Sequence, residues 1–176
     1  MNDLLIVSDQ AVFFDFIQTP FGKFQVAATK QGLTRIRFPH RRLTRADSKE
    51  IPPRVQKVLR ASKRFLRYFF SRSGKVKQHE RIPIDWNSVS AFDQRVLKVL
   101  RRIRPGETIS YDGLARLCRA PRAARAVGNA LHRNPIPVLI PCHRVVRKDH
   151  TPGGYGGGIR WKKLLLRLEQ GSEDPR

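Results

Sequence analysis

The chain has little acid, almost no sulfur and no long apolar run. Against 36 Lys+Arg it sets only 14 Asp+Glu over 176 residues, a formal net charge of +22. Its two cysteines, Cys118 and Cys142, lie in no CxxC pair, which excludes a disulfide scaffold and a cysteine-rich zinc module. Cys142 and His143 are adjacent, and no second pair has ligand spacing, so neither a metal nor a cofactor is expected. The longest early apolar run, residues 4–7, sits between Asp3 and Asp9 and is too short for a signal peptide or a membrane span. These absences predict a soluble intracellular protein with reduced thiols and no membrane partner.

What the chain has is positive charge and enough apolar residues, 40%, for a packed core. A pI near 11.4 implies an acidic partner, with nucleic acid first and an anionic membrane surface second. The charge is split evenly: residues 1–90 and residues 91–176 each hold 18 basic and 7 acidic side chains. Two stretches hold no acid at all. Residues 113–148 include Arg116, Arg119, Arg122, Arg125, Arg133, Arg144, Arg147 and Lys148, and residues 51–79 hold nine further basic side chains. The first suits phosphate contact and counterion release, although a solvated basic face would read the same way. The second suggests an auxiliary nucleic-acid contact or solubility.

The hydrophobic pattern predicts an α+β chain. Residues 4–7, 12–17, 24–28 and 33–38 are short runs rich in Val, Ile and Phe, separated by turn residues, and read as a small antiparallel meander. After Pro52-Pro53, Val55, Val58, Leu59, Leu66 and Phe69 recur at helical spacing, with a basic outer face between them. Residues 71–81 read as a linker closing a first domain over 1–85. A mostly helical domain over 86–176 follows. One helix carries Phe92, Val96, Val99, Leu100 and Ile103 and ends at Pro105-Gly106. Ser110 caps a second, whose apolar face is Leu114, Leu117 and Cys118. A third spans 122–133 and stops at Asn134-Pro135. The last two make a helix-turn-helix of winged-helix-like kind. An extended apolar segment over 136–146, a Gly156-Gly157-Gly158 loop and a final helix with Trp161, Leu164, Leu165 and Leu168 complete the chain.

The chemistry centres on Pro141-Cys142-His143-Arg144. A thiolate is a strong nucleophile, and its pKa falls among cations, His and backbone N–H groups. Buried cysteine is also a common small hydrophobe, and composition alone leaves both readings open. A Cys-His hydrolase would need a base and an oxyanion hole, for which there is no independent sign.

Taken together, the motifs resemble successive blocks of the O6-alkylguanine-DNA alkyltransferases. They are Pro105-Gly106-Glu107-Thr108-Ile109-Ser110-Tyr111, Leu114-Ala115, the 124–130 run Ala-Arg-Ala-Val-Gly-Asn-Ala and Arg133-Asn134-Pro135. Then come Ile140-Pro141-Cys142-His143-Arg144-Val145-Val146, Tyr155 with Gly157-Gly158, and 165–171 with Glu169. Order and spacing agree over about residues 91–171, while the first ninety residues resemble the family only in outline. The resemblance implies a repair protein that takes O6-alkylguanine out of double-stranded DNA and moves the alkyl group once, irreversibly, onto its own cysteine. It makes Cys142 the acceptor, His143 a base acting through a water, Glu169 the group orienting His143, and Asn134 a brace for the thiol's turn. Arg125 would fill the space left by the extruded base, on a recognition helix with Arg122, Ala124 and Gly128 at the minor groove. Tyr111 would contact the guanine and a phosphate, the carbonyls of Val145 and Cys142 would read the exocyclic amine, and Tyr155 and the Gly156 N–H would line the pocket. A monomer in the cytoplasm, nucleoid-associated, or in the nucleus of a eukaryote, is the implied setting.

Departures have consequences. Gly156 stands where many members have Ser, which suggests a more mobile loop there. No cysteine precedes Cys118, so the N-terminal zinc site of some members is not expected. The competing readings are a non-catalytic module that recognises alkylated DNA, against which Cys142 argues, and a helix-turn-helix regulator with a structural cysteine. Taken one by one, Glu169 could be a surface carboxylate, Tyr111 a core residue and Asn134 a helix stop.

Overall fold

The computed structural model describes residues 11–39, 50–71 and 82–171. The strand expected at 4–7 and residues 72–81 of the expected linker lie outside them. Strands β1 (Phe13–Thr19), β2 (Gly22–Ala28) and β3 (Leu33–Arg37) form the expected antiparallel meander in the order β1-β2-β3. Thr19 closes the first hairpin: its hydroxyl accepts from the Phe21 N–H at 3.2 Å and donates to the Gly22 carbonyl at 2.9 Å. Gly22 follows with φ +111°, a conformation that an L side chain resists.

Helix α1 (Pro53–Ser71) starts on a proline whose missing N–H costs nothing there. It buries Val55, Val58, Leu59, Phe65, Leu66, Phe69 and Phe70 against the sheet, where Phe13, Ile17, Phe24, Val26 and Ile36 are also buried. The apolar core does not stop at residue 85. It runs on through Val96, Leu114, Val127, Ile136 and Leu165 as one cluster. The end of the first half is tied back to the sheet: the Leu33 N–H donates to the Pro83 carbonyl at 2.8 Å and the Asp85 N–H to the Leu33 carbonyl at 3.0 Å. The Thr29 hydroxyl donates to Asp85 at 2.6 Å. Aromatic packing joins the two halves, with the rings of Phe24 in β2 and Phe38 just after β3 against Trp161 at centroid distances of 5.4 and 4.6 Å.

The second half holds α2 (Ala91–Leu100), α3 (Tyr111–Leu117), α4 (Ala124–His132) and α5 (Ile159–Gln170). Ser90 and Ser110 cap α2 and α3 by accepting from Asp93 N and Gly113 N. The two-residue strands β4 (Ile109–Ser110) and β5 (Val145–Val146) pair in parallel, which sets Tyr111 beside the segment holding Cys142.

Four local expectations are corrected. The helix expected over 122–133 begins at Ala124: Arg122 is in the preceding turn with φ +71°, and Ala123 offers no capping side chain. The helix carrying Ile103 ends at Leu100. Leu117, expected on the apolar face, is 55% exposed, whereas Cys118 is buried as the helix's C-cap. Residues 136–146 are not extended. They form a compact turn, then a single 3-10 turn over Cys142–Arg144, then β5.

Candidate active site

The 134–142 turn is built around one amide. Asn134 Oδ1 accepts from the Ile136 N–H at 3.0 Å, while its Nδ2 donates to the Ile140 carbonyl at 2.9 Å and to Cys142 Sγ at 3.0 Å. A side chain that ties both ends of a turn can hold a costly backbone, and Val138 within it has φ +72°, a genuine outlier for a β-branched residue. The turn is also anchored on the sheet, since Ile36 N–H of β3 donates to the Pro135 carbonyl at 3.0 Å. The thiol is therefore fixed by both halves of the chain.

Behind Cys142 lies a buried charged network. His143 Nε2–H donates to Glu169 Oε1 at 2.9 Å, and Arg144 grips the same carboxylate through Nε at 2.9 Å and Nη2 at 2.6 Å. Arg144 also reaches the Ile103 carbonyl, and Glu169 Oε2 accepts from the Gly106 N–H at 3.2 Å. Burial opposes ionisation of Glu169, but the hydrogen bonds and charges of His143 and Arg144 outweigh it and bring its pKa down to about 2. Burial pushes the His143 pKa down, more than Glu169 pushes it up, so the imidazole is neutral near pH 7. Because the ionised carboxylate takes the Nε2 proton, Nδ1 is left as the acceptor, and no protein group bonds that buried atom.

Burial likewise raises the Cys142 pKa, while Asn134, Tyr155 and Lys162 pull it down. Lys162 was not singled out from the sequence. It is fully buried, donates from Nζ to the Val145 carbonyl at 2.5 Å, and lies 5.9 Å from the centre of the Tyr111 ring. Desolvation lowers its pKa to about 8, with the Arg147 charge adding to the effect and Cys142 opposing it. Arg144 was missed as well. The signal was present for both: Lys162 and Glu169 share the apolar stripe of α5 with Leu165 and Leu168, and Arg144 sits inside a buried apolar run.

Cys142 opens into a cleft of about 540 Å³, lined by Asn134, Pro137, Tyr155, Gly156 and Gly157 and, from β3, by Arg35 and Arg37. The Tyr155 hydroxyl is buried, and burial followed by the neighbouring sulfur holds its pKa well above 10. Gly157 allows close packing there: a Cβ would lie 2.8 Å from Phe38 and 2.9 Å from Tyr155. Gly156 is different, because a Cβ there would meet the His132 carbonyl at 3.4 Å and the His132 Nδ1 at 3.8 Å, without a clash. A second recess of about 460 Å³ is lined by Tyr111, Asp112, Ala124, Arg147, Lys148 and Asp149. Here α4 meets the site: Gly128 faces the Tyr111 ring, and Arg125 is exposed one turn earlier. The structure thus gathers Cys142, Asn134, Tyr155 and Gly156 on one cleft, with His143 and Glu169 in the buried network behind the thiol. Tyr111, Val145, Ala124 and Gly128 stand beside it, Arg125 is on the exposed side of α4, and Arg122 is off the helix. Among the described residues no group of three His, Cys, Asp or Glu side chains could hold a metal.

Comparison with known proteins decides the family. Residues 91–171 match the model of the 6-O-methylguanine DNA methyltransferase, DNA binding domain. A methylated-DNA–protein-cysteine methyltransferase of Haemophilus influenzae is 36% identical over 166 residues, 91% of this chain and 87% of that protein. The human protein of the same name is 35% identical over 162 residues, 87% of this chain and 78% of the relative. The chain belongs to this family. As a methylated-DNA–protein-cysteine methyltransferase relative it also has the family's shape. The crystal structure of Mycobacterium tuberculosis OGT in complex with DNA superposes with a TM-score of 0.75 at 32% identity, covering 92% of this chain and 95% of that one. Family membership spans both halves, including the sheet and α1 that the sequence resembled only in outline.

Proposed function

We propose that this protein repairs O6-alkylguanine in double-stranded DNA by transferring the alkyl group, once and irreversibly, to Cys142. The observation that carries the reading is the Asn134–Cys142 contact at the floor of a cleft backed by the His143–Glu169–Arg144 network. Cys142 sits protonated at rest because burial disfavours the thiolate. His143 takes the proton at Nδ1 through a water, a role that suits an acceptor nitrogen no protein group satisfies. Glu169 fixes the tautomer and holds the imidazolium that results. Asn134 Nδ2 and the Lys162 ammonium stabilise the charge on sulfur as it forms.

Sγ then attacks the alkyl carbon. The S–C bond forms as the C–O6 bond breaks, the electron pair goes to the guanine, and the proton lost by the thiol balances it. Tyr111, held as a neutral phenol by burial, is a donor for the departing base. The Val145 carbonyl accepts from Lys162, and its second lone pair remains for the exocyclic amine of guanine. Tyr155, Pro137 and Gly156 border the alkyl group. On DNA, α4 with Ala124, Gly128 and Arg125 enters the minor groove, and Arg125 occupies the gap left by the flipped nucleotide; Arg122 acts from the turn ahead of it. Flipping costs a few kcal/mol, and less for a damaged base, which adds selectivity. A thioether has no hydrolytic exit, so the protein is consumed by each repair.

The same reading makes the protein a cytoplasmic or nucleoid-associated monomer (nuclear in a eukaryote), with the working division at residues 85 and 86. No helix among the described residues is long and apolar enough to cross a membrane. Stoichiometry tests the proposal. Protein mixed with excess duplex bearing O6-methylguanine should restore one guanine per molecule and then stop. Continued turnover, or binding without repair, would contradict it, and the second result would favour a recognition module.

A further inference from the structure

Helix α1 presents a surface that alkyl transfer does not use. One face is buried on the sheet and the other carries Arg54, Lys57, Arg60, Arg64 and Arg67, all exposed. Their steps of three or four residues place them in a single stripe, about 20 Å long at 1.5 Å per residue. No acidic residue occurs between 51 and 79 to break it. Asp15 pairs at 2.5 Å with Lys63, outside the stripe. α1 packs on β1, β2 and β3, whereas α4 packs on α2 and α3, so the stripe belongs to a different part of the fold from the recognition helix.

We propose that the outer face of α1 is a second DNA-binding surface, which holds the sugar-phosphate backbone of duplex DNA without reading sequence or damage. Each strand of a duplex carries one phosphate per about 3.4 Å of axis, so a 20 Å stripe faces about six of them. Exposed cations aligned on one helix face repel one another, and a phosphate row relieves that repulsion while releasing counterions. A lipid surface fits less well. Helices that lie on membranes bury their apolar face in lipid, and the apolar face of α1 is already in the core, leaving Tyr68 as the large apolar side chain outside, at 43% exposure. The inference takes from the proposed function only that DNA is the partner.

The test uses undamaged duplex, so its failure is separate from failure of alkyl transfer. Affinity for a 24-base-pair duplex is measured from about 50 to 300 mM salt for the full chain and two variants. One carries Arg54→Gln, Lys57→Gln, Arg60→Gln, Arg64→Gln and Arg67→Gln. The control removes the same charge from other exposed positions, Arg102→Gln, Arg104→Gln, Arg160→Gln, Lys163→Gln and Arg167→Gln. At about 0.9 per phosphate contact, the slope of log affinity against log salt should fall by about 3 to 4 in the α1 variant and by less than about 1 in the control. The single-turnover transfer rate at saturating damaged DNA should not change in the α1 variant. If the five-site variant does not fold, Lys57→Gln with Arg60→Gln and Arg64→Gln should lower the slope by about 2. Equal slopes in the two variants would overturn the proposal. So would unchanged DNA binding with loss of binding to phosphatidylserine vesicles, which would reassign the surface to membrane.

Discussion

Two regions of this protein each bury a cysteine, and they differ in everything around it. Cys118 ends α3 among Leu114 and Ala115, and burial raises its pKa with only the Arg95 charge opposing. Cys142 is buried too, and burial raises its pKa, yet it receives a hydrogen bond from Asn134, and the Tyr155 phenol and the Lys162 charge also favour its thiolate. Burial therefore does not separate a reactive thiol from an inert one. What separates them is whether the groups that favour the thiolate are already in place before any charge appears.

The comparison can be broken outright by exchanging the nucleophiles' fates. Cys142→Ser should abolish repair of O6-methylguanine, while Cys118→Ser should keep the wild-type single-turnover rate and lose at most about 1 kcal/mol of stability in urea unfolding. Removing the anion under the site should have the next largest effect. Glu169→Gln leaves Arg144 buried without its counter-charge, at a cost of about 3–5 kcal/mol by denaturant titration. The wild-type pH dependence follows from the same contact. The Glu169 pKa is lowered from 4.5 to about 2 in the folded state, so its contribution is fully present above 4.5 and is lost as the pH falls through 2. The Glu169→Gln variant should lack that part of the acid transition.

Asn134→Ala removes a donor to sulfur and frees both ends of the strained turn. About 1–3 kcal/mol of stability should go, with slower transfer, and Asn134→Asp should not restore the rate, because a carboxylate offers no N–H to sulfur. Lys162→Met should have the smallest effect on the fold and the most selective one on chemistry. Iodoacetamide should modify Cys142 about tenfold more slowly near pH 7.5 with no change at Cys118, because one nearby cation shifts a pKa by about a unit. An equal change at both thiols would show that Lys162 acts on folding rather than on the sulfur.

Much of this was legible beforehand because it is local. Short runs rich in Phe, Val and Ile between turn residues announced β1 to β3, and 3.6-residue spacing announced α1 and α5. The sulfur, imidazole and carboxylate were readable as a set only through the resemblance to the alkyltransferase family. What could not be read was the turn at 136–146, where prolines among apolar residues imitate an extended strand. Its compact form depends on an amide from Asn134 that closes onto Ile140 and Cys142, and on β3, about a hundred residues earlier, donating to Pro135. Leu117 followed the apolar period and is still 55% exposed, while Cys118 beside it is buried. Arg144 and Lys162 look like surface cations by residue type. Only the fold shows that one neutralises Glu169 and that the other lies beside the thiol.

The central claim is that the two buried cysteines are chemically unequal, and peptide-resolved mass spectrometry measures that directly. After incubation with duplex DNA containing O6-methylguanine, one methyl group should appear on the peptide holding Cys142 and none on the peptide holding Cys118. A methyl on Cys118, or tight binding to the damaged duplex with neither peptide changed in mass, would contradict the account.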